Sequence, residues 1–100
     1  MILELNTSDR ELVKIALKNE TILDLLEERN KFGSQALLPL IIQLLKKNSL
    51  EFKDLTSIEV NTGPGSYTGL KVGAAIANAL GFSLGIPVNG KKQETELQYE

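Results

Sequence analysis

The residues best suited to chemistry lie in a glycine-rich segment near the middle of the chain. Residues 60–81 read "VNTGPGSYTGLKVGAAIANALG", in which a short apolar run precedes a Gly-Pro-Gly loop and a helical pattern follows it. In phosphate-binding loops, backbone N–H groups at a helix N-terminus and nearby hydroxyls bind the anion. The candidate phosphate cradle here consists of Gly63, Gly65, Ser66 and Thr68.

The two common nucleotide-binding patterns do not fit this loop. A Walker A motif needs Gly-Lys-Ser/Thr five residues after its first glycine, where this chain has Thr68 or Leu70. A dinucleotide-binding GxGxxG pattern needs a glycine at position 68. The alternative interpretation is structural: Gly63 and Gly65 permit positive φ around Pro64, and Thr68 caps the helix. The pattern alone leaves both interpretations open.

Composition removes several classes of function. The 100 residues include no Cys and no His, so the sequence offers neither a thiolate nucleophile nor a Ser-His-Asp arrangement, and we expect no metal site or bound cofactor. A net charge of −2 without a basic face argues against direct nucleic-acid binding by this chain alone. No apolar run has the length of a membrane span, and the N-terminus does not resemble a signal peptide. We therefore expect a cytoplasmic protein without membrane contact.

The elements that must position the loop follow from hydrophobic patterning. "MILELN" and "SIEVN" are typical of buried strands, and "ELVKIALKNE" alternates as a strand with one wet face. "TILDLLEER" is interpreted as the returning strand of a hairpin turning at Asn19-Glu20, with a helix as the alternative. Helices are predicted over "QALLPLIIQLLKKN", with a kink or displaced first turn at Pro39, and from about Thr68 to Leu80. With "IPVNG" as a last strand, the predicted order is β-β-β-α-β-α-β, an α/β fold with a mixed sheet.

Both predicted helices are more apolar than one covered face requires. The second has a stripe of small residues every four positions (Gly69, Gly73, Ala77 and Gly81), which allows another backbone to approach closely. A helix that is apolar all round is buried on more than one side. We expect a partner to dock on the helices; the alternative is that they cover each other.

The segments "ILELNTS", "LLPLIIQLL" and "NTGPGSYTGLKVGAAIANALGFSLGIPVNG" resemble the amino-terminal half of the TsaB (YeaZ) family, which takes part in making threonylcarbamoyladenosine in tRNA. The resemblance spans roughly residues 1–90, which implies a TsaB-like domain followed by a polar tail at 91–100. It implies a single actin-like/Hsp70 ATPase (RNase H-like) half-domain. It also implies pairing with a TsaD-like paralogue, with TsaE completing the bacterial assembly, and a homodimer in isolation.

Three features depart from the family pattern. Family members usually carry a second, carboxyl-terminal copy of the fold, whereas this sequence matches the first copy alone, and nucleotides in actin-like proteins bind between two such halves. At the end of the first strand, Asn6 replaces the family's usual acid and is a weaker ligand for a magnesium ion. The usual His-Ser before the first helix is Gly33-Ser34. The first two departures point away from catalysis, so the resemblance favours a vestigial loop that turns the corner into an interface helix.

The expected function is accordingly that of a non-catalytic partner subunit in tRNA modification, not an enzyme. The alternatives are a small nucleotide-binding protein that completes its site by dimerising, and a homodimeric structural module. The partner interface is expected on the helix layer, at Leu37, Leu38, Ile41, Leu45, Gly69, Val72, Gly73, Ile76 and Ala77.

Overall fold

The part of the chain that the structure describes folds as a four-stranded sheet with two α-helices. The structure, a computed structural model, describes residues 1–9, 11–29 and 34–91, and of residues 34–36 it describes the backbone alone. In chain order the elements are β1 (Ile2–Asn6), β2 (Leu12–Asn19), β3 (Thr21–Arg29), α1 (Ser34–Lys47), a short 3-10 helix (Phe52–Asp54), β4 (Ser57–Val60) and α2 (Tyr67–Leu84).

The sheet is mixed and has the order β3-β2-β1-β4. β1 pairs antiparallel with β2 and parallel with β4, as expected when the connection between β1 and β4 crosses over the sheet. β2 and β3 form the predicted antiparallel hairpin, and Glu20 in its turn has a φ of 69°. The hairpin prediction is confirmed, and the alternative helix over 21–29 is wrong because every residue of that segment lies in β3.

The predicted last strand at "IPVNG" is reduced to isolated bridges. Val88 pairs in parallel with Ile58 and antiparallel with Lys91, so the chain joins the sheet beside β4 and leaves it at once. The predicted order β-β-β-α-β-α-β therefore holds through α2, but its last element is not a strand. Apart from Lys91, the predicted polar tail lies outside the described residues.

The hydrophobic core lies on one face of the sheet. Leu3 and Leu5 of β1 alternate inward with the inner residues of β2, whereas Glu4, Lys18 and Glu59 lie on the opposite, open face. Both helices pack on the inner face and contact each other. The largest side chains with almost no exposed surface are Leu3, Leu5, Ile15, Leu17, Leu37, Ile41, Leu44, Ile58 and Leu70.

The two helix predictions needed correction at their ends. α1 begins at Ser34, five residues before Pro39, so the helix does not begin at that proline. Pro39 has no backbone N–H and therefore removes one helical hydrogen bond near the first turn. The kink at Pro39 stays a prediction. α2 extends to Leu84 instead of Leu80, because the helix ends where Gly85 takes a left-handed φ of 68°. Neither helix in the described part of the chain has the length and apolarity needed to cross a membrane.

Candidate functional site

The candidate site lies where the carboxyl ends of the parallel strands β1 and β4 meet the N-terminus of α2. This edge of a parallel pair is where α/β proteins commonly bind ligands. The glycine loop follows β4, and the segment Asn6-Thr7-Ser8 follows β1. Asn61 continues the β4 ladder, with its N–H donating to the Leu5 carbonyl at 3.0 Å. The fold therefore brings together two segments that the sequence separates by more than fifty residues.

The end of β1 forms a compact polar turn. The Asn6 Oδ1 atom accepts hydrogen bonds from the Ser8 backbone N–H at 3.1 Å and from the Ser8 hydroxyl at 2.7 Å. Asn61 Nδ2 lies 3.4 Å from the Ser8 hydroxyl oxygen, and Asn61 Oδ1 accepts from the Gly63 N–H at 2.8 Å. The carboxamide of Asn6 thus shapes the turn through the same oxygen that an acid at this position would offer to a cation.

The glycine loop is bonded to β1 through its backbone. The Ser66 N–H donates to the Ser8 carbonyl at 2.9 Å, and the Ser66 hydroxyl accepts from the Gly69 N–H at 3.4 Å. Ser66 is therefore the N-cap of α2, and the predicted cap Thr68 is wrong because α2 already begins at Tyr67. Gly63 has the expected positive φ of 116°, whereas Gly65 does not.

Gly65 is needed for close approach instead. A Cβ atom at this position would lie 2.6 Å from the Cβ of Ser8 and 2.8 Å from its carbonyl oxygen. No real Cβ contact is that short, so a side chain at residue 65 would push the loop away from β1. The backbone N–H groups of Gly63, Ser66, Gly69 and Leu70 all donate to protein acceptors. The Leu70 N–H makes the first helical bond of α2, to the Ser66 carbonyl, and the other three donors hold the turn and its N-cap, as expected of a structural corner.

Thr7 ties the same region to the first turns of α2. Its hydroxyl donates to the Gly69 carbonyl at 2.6 Å, and the residue is only 3% exposed. A Cβ atom at Gly69 would overlap the Thr7 carbonyl oxygen, and one at Gly73 would overlap the Thr7 hydroxyl. Farther along, a Cβ at Gly81 would lie 2.5 Å from a methyl group of Val88. The small-residue stripe of α2 therefore faces the chain's own sheet.

The nine residues of the predicted partner interface lie in different environments. Leu37, Ile41, Leu45, Gly73 and Ala77 are buried in the domain's own core, because they fill the space between the helices and the sheet. Their side chains are not available to a partner, and this part of the prediction needs correction. Gly69, Val72 and Ile76 are half-buried, and Leu38 is 40% exposed. A partner interface as such stays a prediction, now restricted to the outer surface of the helix layer.

A shallow groove of about 580 Å³ runs beside β4 on the open face of the sheet. Its polar lining includes Glu4, Glu59 and three asparagines, Asn6, Asn61 and Asn89.

Lys18 bridges the carboxylates of Glu4 and Glu59 at 2.9 and 2.8 Å. The hydrogen bond to Glu59, and then that to Glu4, raise the pKa of Lys18 above its ordinary value. Within the described residues, no three acidic side chains come together as a metal site.

Sequence reasoning missed the polar residues that hold the corner together. The glycine pattern does not identify Thr7, Ser8 and Asn61, although short polar side chains directly after two strands are a recognisable turn signal. Nor does it identify Asn89, because the surrounding segment has the composition of a strand. What no local pattern gives is the pairing of these residues across the sheet.

Comparisons with known proteins match this arrangement. The family model described as "TsaD: tRNA N6-adenosine threonylcarbamoyltransferase" matches residues 27–90. A protein named "tRNA threonylcarbamoyladenosine biosynthesis protein TsaB" from Buchnera aphidicola (strain APS) is 38% identical over 71 residues, which are 71% of this chain and 32% of the relative. A protein of the same name from Bacillus subtilis is 34% identical over 89 residues, covering 88% of this chain and 39% of the relative.

A solved structure extends the comparison to the fold. The structure titled "YeaZ from Pseudomonas aeruginosa" superimposes with a TM-score of 0.79 at 31% sequence identity, covering 87% of this chain and 42% of that chain. The resemblance inferred from the sequence motifs is therefore confirmed, as is an α/β fold of the YeaZ type. The chain spans less than half the length of each of these relatives.

Proposed function

The chain belongs to the family of tRNA N6-adenosine threonylcarbamoyltransferase (TsaD) domains, and from this premise we propose that it is a non-catalytic partner subunit in the threonylcarbamoyladenosine modification of tRNA. The similarity to proteins named TsaB supports the pathway. In this role the chain works in the cytoplasm, where it pairs with a TsaD-like paralogue, and TsaE joins the assembly.

The observation that carries the non-catalytic role is the inward bonding of the glycine loop. Three N–H groups of the loop and first helical turn donate to acceptors in the loop or in the end of β1, and the Ser66 hydroxyl caps α2. The Asn6 Oδ1 atom likewise accepts from Ser8. The bond from the Ser66 N–H to the Ser8 carbonyl fixes the start of α2 at the end of β1. Its contribution to the complex is therefore to set the geometry of a docking helix.

The docking surface is the outer side of the helix layer. Leu38 and Ile42 of α1 are 40% and 36% exposed, and Phe82 of α2 is 92% exposed. Ala75 is exposed and Val72 half-buried on the same helix. Apolar side chains left in water on two adjacent helices are typical of a protein-protein interface. In the absence of the paralogue, the same surface pairs two copies of this chain about a two-fold axis.

The decisive experiment measures affinity for the TsaD protein of the same organism. The double variant Leu38→Glu/Ile42→Glu places two charges on the outer surface of α1, and we expect at least a tenfold loss of affinity. The control is Leu25→Glu, which changes an equally exposed leucine on β3 and should leave binding unchanged. Failure of the wild-type chain to bind TsaD would contradict the proposal. A double variant that binds TsaD as tightly as the Leu25→Glu control would place the interface away from the outer surface of α1.

The nucleotide-binding alternative keeps one observation in its favour. The groove beside β4 lies at the carboxyl ends of the parallel strands, and a second copy could close it. Calorimetric titration with ATP separates the two functions. The partner-subunit proposal expects no binding at micromolar concentrations. Micromolar binding that Gly65→Val abolishes in a folded variant would favour the alternative.

A further inference from the structure

The outer edge of β4 ends in an unusual contact with the side chain of Asn89. Residues of a strand point their backbone groups alternately to either side, so Ile58 and Val60 present theirs to the edge away from β1. At Ile58 the neighbouring chain supplies backbone partners: the Ile58 N–H donates to the Pro87 carbonyl at 3.0 Å, and the Asn89 N–H donates to the Ile58 carbonyl at 2.8 Å. This is an ordinary parallel ladder.

At Val60 the backbone partner is replaced by a side chain. The Val60 N–H donates to Asn89 Oδ1 at 2.8 Å, and Asn89 Nδ2 donates to the Val60 carbonyl at 3.0 Å. A carboxamide carries the same acceptor and donor as a peptide group, so one side chain satisfies both edge groups of Val60. The position that the next residues of a fifth strand would occupy is thereby filled.

The backbone at Asn89 turns away from the sheet at the same point. Asn89 and Gly90 have φ values of 49° and 79°, and residues Val88 and Lys91 exchange two backbone hydrogen bonds at 2.7 and 3.0 Å. Positive φ at both central residues of an Asn-Gly pair is the pattern of a type I′ turn. The turn removes the chain from the β4 edge, and the groove of about 580 Å³ lies beside the edge it leaves.

We propose that Asn89 is an edge cap, whose side chain closes the outer edge of β4 and prevents another extended segment from pairing there. An unpaired strand edge is a template for association between chains, and proteins commonly block such edges. Here the block is a single carboxamide held by a tight turn. The cap inhibits strand pairing at the β4 edge, because displacing the Asn89 side chain exposes a donor and an acceptor at Val60 that another strand can use.

The test compares Asn89→Gly with the wild-type chain in the Leu38→Glu/Ile42→Glu background, which removes association through the helix layer. Glycine tolerates the positive φ and so removes the side chain without straining the turn. We expect amide hydrogen exchange at Val60 to accelerate at least tenfold. The internal control is the Asn61 N–H, which bonds to Leu5 on the other side of β4 and should keep its protection. Sedimentation should show larger species that grow with concentration in Asn89→Gly and not in its parent.

Two results would overturn the edge cap. Unchanged exchange at Val60 in a folded Asn89→Gly variant would show that the side chain does not protect this N–H. Faster exchange without added association would show that the cap does not keep other chains out. Should Asn89→Gly fail to fold, Asn89→Asp decides, because aspartate replaces the donor to the Val60 carbonyl with a charged oxygen that this carbonyl repels. We expect exchange at Val60 to accelerate in that variant; wild-type exchange there contradicts the assignment.

Discussion

The two helices are attached to the sheet in different ways. α1 packs with large side chains, because Leu37, Ile41 and Leu44 fill the space above β2 and β3. α2 comes closest to the sheet at Gly69 and Gly73, where the absence of a side chain lets the helix backbone lie directly against Thr7. The first attachment depends on buried apolar volume, and the second on the close approach of the α2 backbone to Thr7.

This difference has consequences for tolerance to substitution. A core filled by side chains can rearrange around a changed neighbour at modest cost. At Gly69 a new Cβ would meet the Thr7 carbonyl oxygen, which moves only with the backbone. At Gly73 it would meet the Thr7 hydroxyl, which can rotate away only by giving up its bond to the Gly69 carbonyl. The glycine loop and α2 therefore form the less adaptable half of the domain, and this half positions the candidate site.

The largest expected effect comes from a side chain placed in the α2 contact. Gly73→Leu inserts a branched side chain where even a Cβ overlaps the Thr7 hydroxyl, so we expect about 3 kcal/mol of destabilisation, the upper end of the usual cost of overpacking. Urea unfolding provides the measurement. The matched control is Ala75→Leu, two residues along the same helix but exposed, which should change the free energy of unfolding by less than about 0.5 kcal/mol.

The outcome of this pair separates two interpretations of the small-residue stripe. Destabilisation by Gly73→Leu at protein concentrations where the chain is monomeric places the contact within the chain. If unfolding is unaffected and only association between chains weakens, the stripe faces a partner, as the sequence pattern alone had indicated. If Gly73→Leu changes the free energy of unfolding as little as Ala75→Leu does, and association is also unchanged, the glycine stripe makes no tight contact.

A smaller effect is expected from the polar contact at the same point. Thr7→Val preserves shape but removes the hydroxyl that donates to the Gly69 carbonyl, leaving a part-buried acceptor without that bond. We expect a loss of about 1–2 kcal/mol in the free energy of unfolding. Thr7→Ser keeps the hydroxyl but loses a methyl group, and we expect its free energy of unfolding to be higher than that of Thr7→Val. A Val variant as stable as the wild type would show that the hydroxyl contributes nothing to holding α2.

The sequence predicted the attachment of α1 more completely than that of α2. Alternation in β2 and the apolar excess of residues 35–48 were sufficient to predict a hairpin and a helix packed on the sheet. For α2, spacing every four residues predicted a close approach but could not identify what approaches. The contact with Thr7 joins residues more than sixty positions apart, and no local pattern carries that information. The same reason explains the misassigned partner residues Gly73 and Ala77.

Local chemistry that competes with a pattern explains the remaining errors. "IPVNG" has the composition of a strand, but its Asn-Gly pair forms a turn, which ends the pairing after Val88. Ser66 and Thr68 are both good N-caps, and the choice between them depends on the bond from Ser66 to the end of β1. The loop as a corner into α2 was predictable; the residues that anchor it were not.

The smallest expected effect concerns the C-terminal end of α1, where a polar contact supplements the apolar packing of this helix on the sheet. Asp24 of β3 accepts from Asn48 Nδ2 at 2.9 Å and from the Leu25 N–H at 2.8 Å, and Lys47 lies 3.2 Å away. The bond from Asn48, then that from Leu25, lower the pKa of Asp24 below its ordinary value of 3.8. The charged carboxylate is therefore favoured in the folded state, and its stabilisation is complete above pH 3.8.

As the pH falls below 3.8, the unfolded chain takes up the proton first, and the stabilisation disappears as the pH passes the lower folded pKa. Asp24→Asn should thus lower the urea midpoint slightly at pH 6, and the difference from wild type should shrink toward pH 3. Glu28→Gln, on the exposed part of the same strand, is the control. A constant difference between Asp24→Asn and wild type across this range would show that the contact does not depend on the charge. Asp24 contacts the C-terminal end of α1 through side chains near the protein surface. The effect of Asp24→Asn on stability should therefore stay well below that of Gly73→Leu or Thr7→Val.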